Sequence, residues 1–461
     1  MTTQQQPRKA LLLSLIPGLG QIYNKQKAKG AIFLGVTILF LIYFFAIAAP
    51  ELGNLITLGE VPGRDNSLFM LIRGAFHFIL VIVYFIFYAL NLKDAYTIAK
   101  RWNNDYPVPT TFKDMLKGIY ANGFPYLLII PSYIAMTFAI IFPVLVTLLI
   151  AFTNYDFQHL PPTKLLDWVG VTNFTNIWRL STFRSAFGAV LGWTIIWALT
   201  ASTVQIVIGI FTAIIANQPF IKGKRIFGVI FLLPWAVPAF ITILTFSNMF
   251  NDSIGAINTQ VIPLLGKVLP FLNGHLIPWK TDPTWTKIAL IMMQGWLVLP
   301  FLNGHLIPWK TAPTWTKVAL IMMQGWLGFP YIYVLTLGIL QSIPNDLYEA
   351  AYIDGANAWQ KFRNITFPMI LAVAAPTLIS QYTFNFNNFS IMYLFNDGGP
   401  GTVGGGAGST DILISWIYRL TTGAAPQYSM AAAVTLIISL IVISISMIAF
   451  KKLHAFDMED V

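Results

Sequence analysis

The chain has 461 residues, of which 56% are hydrophobic and only 10% charged, with a formal net charge of +10 and no cysteine. A soluble domain carries roughly 25% charged residues, so these proportions exclude a water-soluble core of this length. The lack of cysteine excludes disulfide frameworks, thiolate metal sites and cysteine nucleophiles. The positive balance is not a nucleic-acid signal, because Lys and Arg flank long apolar runs, where the positive-inside rule puts them.

At the N-terminus, Arg8-Lys9 followed by Ala10–Ile16 resembles the start of a signal peptide. No small-residue cleavage site follows, and Lys25, Lys27 and Lys29 come next, so the segment is expected to stay. It reads as a short helix at the cytoplasmic interface, broken at Pro17-Gly18. About 20 apolar residues cross the hydrocarbon core of a bilayer, and eight segments qualify: Gly30–Ala49, Gly74–Leu92, Tyr126–Ala151, Ala189–Ala216, Ile226–Met249, Trp315–Leu340, Met369–Phe395 and Ser429–Phe450. The fold class expected is an all-α polytopic membrane protein. With the N-terminus inside, segments 1–29, 93–125, 217–225, 341–368 and 451–461 are cytoplasmic and hold 17 of the 28 Lys and Arg. Both termini are then cytoplasmic.

The spans are nearly free of ionisable groups. Arg73 and Lys317 lie near outer ends and can snorkel, and His77 reads as a packing residue. No Asp or Glu sits deep in a span, where proton-coupled pumps keep their relays. That directs attention to an external energy source.

Val268–Leu297 recurs at once as Val298–Leu327, with differences only at Asp282/Ala312 and Ile288/Val318. This is a recent tandem duplication or an error in assembling the sequence. The duplicated His275 and His305 follow from the copying and do not mark a metal site. A ninth span at Ile288–Leu302, a stretch broken by Pro300, would move 341–368 outside and invert the charge balance. The first copy is therefore expected to stay outside as an interfacial or re-entrant helix. The second copy continues into Gly328-Phe329-Pro330-Tyr331 as the real span.

Residues 342–370 then read as a compact helix–turn–helix. Asn345 or Asp346 is expected to cap a short helix, Gly355 to end it in a left-handed conformation, and a second stretch, Ala358–Ile365, to lead to Pro368 at the start of the next span. Read by itself, this is a connecting loop with ordinary caps or a docking element. Glu349, Ala350, Ala351, Asp354, Gly355, Ala356, Phe362, Ile365 and Pro368 resemble the EAA motif of binding-protein-dependent ABC importer permeases, in the order EAA-x-x-DGA-x(5)-F-x-x-I-x-x-P. Phe367 departs from the usual Leu. The resemblance implies that this helix pair sits in a cleft of a separate ATPase subunit, whose closure rocks the spans between two states. ATP and Mg would belong to that partner; this chain would be no enzyme, with no catalytic residue, metal or cofactor of its own.

Leu233–Pro238, Gly325–Tyr331, Phe384–Phe389 and Gly398-Gly399-Pro400 are similar to the larger permease subunit of maltose/maltodextrin importers, over roughly 125–461. That resemblance implies a six-helix MetI-like core at 125–461 behind a two-span extension at 1–124, for which packing and anchoring are the only roles read. It also implies a second permease (MalG-type), an ATPase dimer and an extracellular sugar-binding protein. By position, a sugar would meet Trp235, Ala239, Gln324, Trp326, Leu327, Gly328, Tyr331, Gln381, Asn385 and Asn388. Ala239 replaces a polar residue of the family, and Gln324 and Gln381 replace shorter ones. The chemistry suits a sugar, since amides offer paired donors and acceptors and Trp and Tyr offer flat faces with a polar tip. Read without the resemblance, the same amides serve interhelical hydrogen bonding equally well. Asn385 and Asn388, three apart, are expected to share one helix face. The short outside segment Phe152–Phe187, where Gram-negative relatives carry a large domain, points to a Gram-positive cell with a lipid-anchored binding protein. Glycine-rich Gly398–Thr410 lacks the P-loop lysine and is expected to be a flexible external loop lining the docking surface of that protein. Another saccharide, or an ion-coupled secondary transporter, are the competing readings.

Overall fold

A computed structural model describes residues 6–104, 106, 108–218, 220–249 and 313–452. The first repeat copy falls outside the described residues, and with it the expectation of an interfacial or re-entrant helix there. Among the described residues, seven helices are long and apolar enough to span a membrane, and an eighth span arises if one bent pair is counted as a single crossing. All eight expected segments overlap these helices, two of them across a break. The chain divides into two compact units, residues 1–173 with 427–433 and residues 174–426 with 434–461.

In the first unit, α1 (Pro7–Leu13), α2 (Leu19–Tyr23) and α3 (Lys27–Tyr43) precede α4 (Ala49–Thr57), α5 (Ser67–Asn103), α6 (Phe112–Met136) and α7 (Phe142–Ile150). The break expected at Pro17-Gly18 is present, with Gly18 at φ +93°. Its hydrogen-only side lets it lie against the Gly30 carbonyl, where a Cβ would overlap. The segment Ser14–Asn24 is stapled to one end of α5 by buried amides. Asn91 accepts from the Gly18 N–H through Oδ1 at 3.2 Å and donates to the Ser14 carbonyl at 2.9 Å. Gln21 donates to the Asn91 carbonyl, Asn24 donates to the Ala95 carbonyl, and Lys29 pairs with Asp94 at 2.6 Å. This supplies the packing role that the extension's sequence left without a mechanism. Asn91→Leu strands two buried backbone groups, each worth about 1–3 kcal/mol. Trypsin should then cut at Lys25 and Lys27 at least tenfold faster than in the parent chain. His77 packs as expected, hydrogen-bonded to the Tyr43 hydroxyl.

Among the described residues, three π-helical stretches, Phe44–Ala48, Thr137–Ile141 and Phe362–Thr366, each end two residues before a proline: Pro50, Pro143 and Pro368. A proline inside a helix lacks the N–H and crowds the carbonyl one turn earlier. A wider turn just upstream accommodates it without breaking the span.

In the second unit, α8 (Thr172–Arg179, begun in the first unit) is followed by α9 (Ser181–Asn217), α10 (Lys224–Ala236), α11 (Ala239–Met249) and α12 (Pro313–Ser342). Then come α13 (Asn345–Ile353), α14 (Ala358–Lys361), α15 (Phe367–Phe386), α16 (Phe389–Asn396), α17 (Leu413–Thr422) and α18 (Tyr428–Lys452). The expected continuous span Ile226–Met249 is corrected: α10 and α11 meet at an 85° bend. Pro238 forces Val237 into an extended conformation, φ −100° and ψ 132°, as the residue before a proline prefers.

Helices α9 and α12 approach closely because Gly209 lies against Ile332, and Gly325 against Val204. Small residues permit such contact between helices in a membrane. Two apolar clusters result. One holds Ile206, Ile210, Phe329, Ile332, Ile370 and Leu378. The other holds Trp193, Trp197, Leu320, Met323, Ile391 and Met392.

Candidate functional site

Between those two clusters the same helices turn polar. Residues 202 and 205 on α9, 324 on α12, 381 and 385 near the end of α15, and 388 just past it fall in the gap that the apolar sets leave. Their side chains join in a ring that one backbone carbonyl closes. Asn388 Nδ2 donates to Gln324 Oε1 at 3.0 Å, Gln324 Nε2 to Gln205 Oε1 at 3.0 Å, and Gln205 Nε2 to Gln381 Oε1 at 3.0 Å. The return path runs from Asn388 Nδ2 to Asn385 Oδ1 at 3.4 Å and from Asn385 Nδ2 to Ser202 Oγ at 2.9 Å. Ser202 Oγ then donates to the Gln381 carbonyl at 3.3 Å. Trp197 Nε1 anchors the Asn385 carbonyl at 2.8 Å.

Ser202, Gln205, Gln324 and Asn385 are buried, whereas Gln381 and Asn388 are half-buried. Buried amides need partners, and a satisfied network specifies one arrangement. Among the described residues, the ring leaves two functional ends unpartnered, the Gln381 amide nitrogen and the Asn388 carbonyl oxygen. One is a donor, the other an acceptor, and both belong to the accessible members.

Asn385 and Asn388 do not share one helix face, contrary to expectation. Helix α15 ends at Phe386, and Asn388 is the N-cap of α16 with φ −77° and ψ 79°. They meet across this break instead. Four of the ten sequence-derived candidates thus belong to the ring: Gln324, Gln381, Asn385 and Asn388. Gly328 lies beside it, since a Cβ there would overlap the Gln205 amide. Trp235 and Tyr331 form a separate aromatic pair, edge to face with centroids 6.0 Å apart. Trp326 and Leu327 pack on the two apolar clusters. Ala239 is exposed at the start of α11, just past the bend. Ser202 and Gln205 were missed. Their signal in the sequence is weak: Ser202 is one of several hydroxyl residues of α9, beside Thr194, Thr200 and Thr203, and Gln205 is a lone amide in the apolar stretch 186–216.

The loop after α12 is a second built element. Helix α13 ends in a Schellman motif: the Gly355 N–H donates to the Tyr352 carbonyl at 3.0 Å and the Ala356 N–H to the Ala351 carbonyl at 2.9 Å, with Gly355 at φ +73°. The expected left-handed glycine is therefore present. The expected cap is corrected: Pro344 holds the N-cap position and no side chain caps α13, because Asn345 and Asp346 already lie inside the first turn. Asn357 and Gln360 form a capping box that starts α14. The second limb is not a separate helix over Ala358–Ile365, since α14, the Phe362–Thr366 π stretch and α15 run on as one rod. Tyr348 and Thr366 hydroxyls, 2.9 Å apart, tie the limbs together. Ile365 packs onto the apolar cluster beside the ring, and Phe362 stacks with Trp359 and Phe367. Glu349, Ala350, Asp354, Tyr352, Ile353 and Trp359 are left exposed, the last three at 64–84%.

The glycine-rich stretch is a folded cap, where a flexible loop was expected. Thr402–Gly404 pairs with Ala407–Gly408 in a two-stranded hairpin. Buried Asp411 accepts from the Gly408 N–H at 2.7 Å and faces Arg419 at 2.9 Å. Burial pushes the Asp411 carboxyl above its ordinary range, while the Gly408, Ser415 and Arg419 partners pull it down.

Residues 205–459 match the family described as binding-protein-dependent transport system inner membrane component. Residues 3–51 match a family of unknown function. The chain is 82% identical over 458 residues, 99% of its length and 98% of the relative's, to the maltodextrin transport system permease protein MalC of Streptococcus pneumoniae serotype 4. It is 57% identical over 460 residues to the maltodextrin transport system permease protein MdxF of Bacillus subtilis, covering 100% and 99% of the two chains. The galactooligosaccharides transport system permease protein GanP of Bacillus subtilis is 45% identical over 450 residues, 98% of each chain. In fold, the chain resembles a bacterial ABC transporter involved in the import of the acidic polysaccharide alginate. The TM-score is 0.52 at 19% identity, with 74% of this chain and 98% of that chain covered.

Proposed function

Because the chain belongs to the family of binding-protein-dependent transport system inner membrane components, we propose that it is the permease of an ATP-driven importer of maltose/maltodextrin-type oligosaccharides. The observation that carries the substrate is the 82% identity, spanning 99% of the chain, to a maltodextrin permease. The amide ring supplies the matching chemistry. A sugar hydroxyl is donor and acceptor at once, and so is the pair of ring ends, Gln381 Nε2 and Asn388 Oδ1. Trp235 and Tyr331 present aromatic surface for the sugar's apolar faces.

The core is assigned to 125–461 and the two-span extension to 1–124. Both termini face the cytoplasm, and so does the 342–370 loop, whose exposed Glu349, Ala350 and Asp354 dock an ATPase dimer that uses ATP and Mg. A second permease completes the channel. A lipid-anchored binding protein of a Gram-positive cell delivers the sugar, meeting the 398–411 cap. The decisive measurement is uptake of labelled maltotriose by cells lacking and regaining this chain. Uptake should require it and should stop when ATP is depleted with the ion gradients intact. Uptake that survives ATP depletion but collapses with the gradients would overturn the importer reading. Restored uptake of galactooligosaccharide alone would overturn the substrate.

A further inference from the structure

The ring has a member that no sugar-site candidate predicts. Gln205 is fully buried and sits between the two glutamines, accepting from Gln324 through Oε1 and donating to Gln381 through Nε2. A primary amide has one acceptor end and one donor end, so the orientation of Gln205 fixes that of both neighbours. Gln324 must turn its Nε2 towards Gln205, which leaves its Oε1 for Asn388. Gln381 must turn its Oε1 towards Gln205, which leaves its Nε2 free of partners among the described residues. The Asn388 amide, committed through Nδ2 to Gln324 and Asn385, is left with Oδ1 free in the same sense. The donor at the Gln381 end is therefore a consequence of one buried side chain, while the acceptor at Asn388 is held in register with it and is also fixed by Asn385 and Ser202.

Two features hold that side chain in place. Gly328 on α12 has no Cβ, and the Gln205 amide occupies the space a Cβ would take. Residues on either side of Gln205 are apolar and packed, Ala201 in one cluster and Ile206 in the other, so water is not a ready substitute partner. Reversing the Gln205 amide would set N–H against N–H at Gln324 and oxygen against oxygen at Gln381.

We propose that Gln205 is a positioning residue that sets the hydrogen-bond polarity at the Gln381 end of the sugar site, presenting an N–H donor there beside the carbonyl acceptor of Asn388, without touching the saccharide. This rests on the reading of the ring as the sugar site. A saccharide accepts at one hydroxyl and donates at another, so a fixed polarity selects which hydroxyl faces which end. Without Gln205 the Gln381 amide loses its partner and can flip, and that end of the site presents a mixture of polarities of which only one fits.

The test uses the whole importer, with its second permease, ATPase and binding protein, trapped with vanadate during turnover and assayed for retained labelled maltotriose per assembled complex. Gln205→Met keeps length and lack of branching but removes both hydrogen bonds. The expected result is at least a tenfold weaker retention, with ATP hydrolysis stimulated by the loaded binding protein kept within about twofold. Retention within twofold of the parent overturns the proposal. Asn388→Ala separates the two levels. If it weakens retention while Gln205→Met does not, the positioning role alone is lost; if Asn388→Ala leaves retention intact, the sugar site itself is misplaced. Should Gln205→Met fail to assemble, Gln205→Glu takes its place. Protonated, it offers a donor and an acceptor as glutamine does; ionised, it only accepts. Its retention should approach the parent's at acidic pH and fall at least tenfold at alkaline pH, and a pH-independent value overturns the proposal.

Discussion

Gly355→Val is expected to cut sugar uptake to below about a tenth of the parent rate, whereas Gly355→Asn should keep more than half. The turn needs φ +73° at this position, and a left-handed conformation costs an L-residue about 1–2 kcal/mol, more when the side chain is β-branched. Since 1.4 kcal/mol is about a factor of ten in an equilibrium, the Schellman turn would be about tenfold less populated relative to its alternatives in the valine variant. Nothing lies within 4 Å of a Cβ built at Gly355, so space within this chain is not the obstacle. Asparagine tolerates the left-handed region and is therefore the control. The turn joins exposed Glu349 and Asp354 to a rod that continues through α15 to Asn385. On the proposed reading, its loss should leave the partner ATPase active but disconnected from the amide ring. The measurement is uptake alongside ATP hydrolysis in reconstituted vesicles. Equal uptake in the valine variant would remove the loop from the transmission path, and equal loss in both variants would place the effect in the partner's cleft instead of the backbone.

The second large effect is expected from Asn385→Ala combined with Asn388→Ala, which should lower maltotriose uptake at least tenfold. The pair closes the ring on one side, and its removal leaves Ser202 Oγ and Gln324 Oε1 without their donors. A buried polar group left unpaired costs about 1–3 kcal/mol, and the accessible acceptor Asn388 Oδ1 goes with it. Asn385→Ala alone should mainly loosen the ring, because that residue is fully buried and its backbone carbonyl still accepts from Trp197. The amount of assembled importer, measured by size-exclusion chromatography, separates a lost site from a lost complex. Unchanged uptake in the double variant would take the ring out of the sugar's path.

Local features were legible in the sequence to the extent that their causes are local. Gly355 and the 349–356 motif lie within one turn of each other, and both hydrogen bonds of that turn close within five residues. The cap at Pro344 was misread because Asn345 and Asp346 are both good capping types, and only the backbone shows which residue stands outside the first turn. The bend at Val237-Pro238 was read through because the apolar run continues on both sides of it, although a proline after an extended residue is the place for it. The break between Asn385 and Asn388 has no proline to announce it.

By itself, then, the amino-acid sequence determined that the chain crosses a membrane, where its spans lie and where the left-handed turn at Gly355 falls. Apolar length, charge placement and left-handed glycines act over one helix or one turn. Only the tertiary structure decided what the polar residues inside the spans do. Gln205 and Gln324 are 119 positions apart, and a glutamine in an apolar helix looks the same whether it meets a partner or a ligand. It was the approach of α9 to α12 across Gly325, Gly328 and Gly209, together with the end of α15 at Phe386, that closed six separate residues into one ring and, among the described residues, left two of its amide ends free.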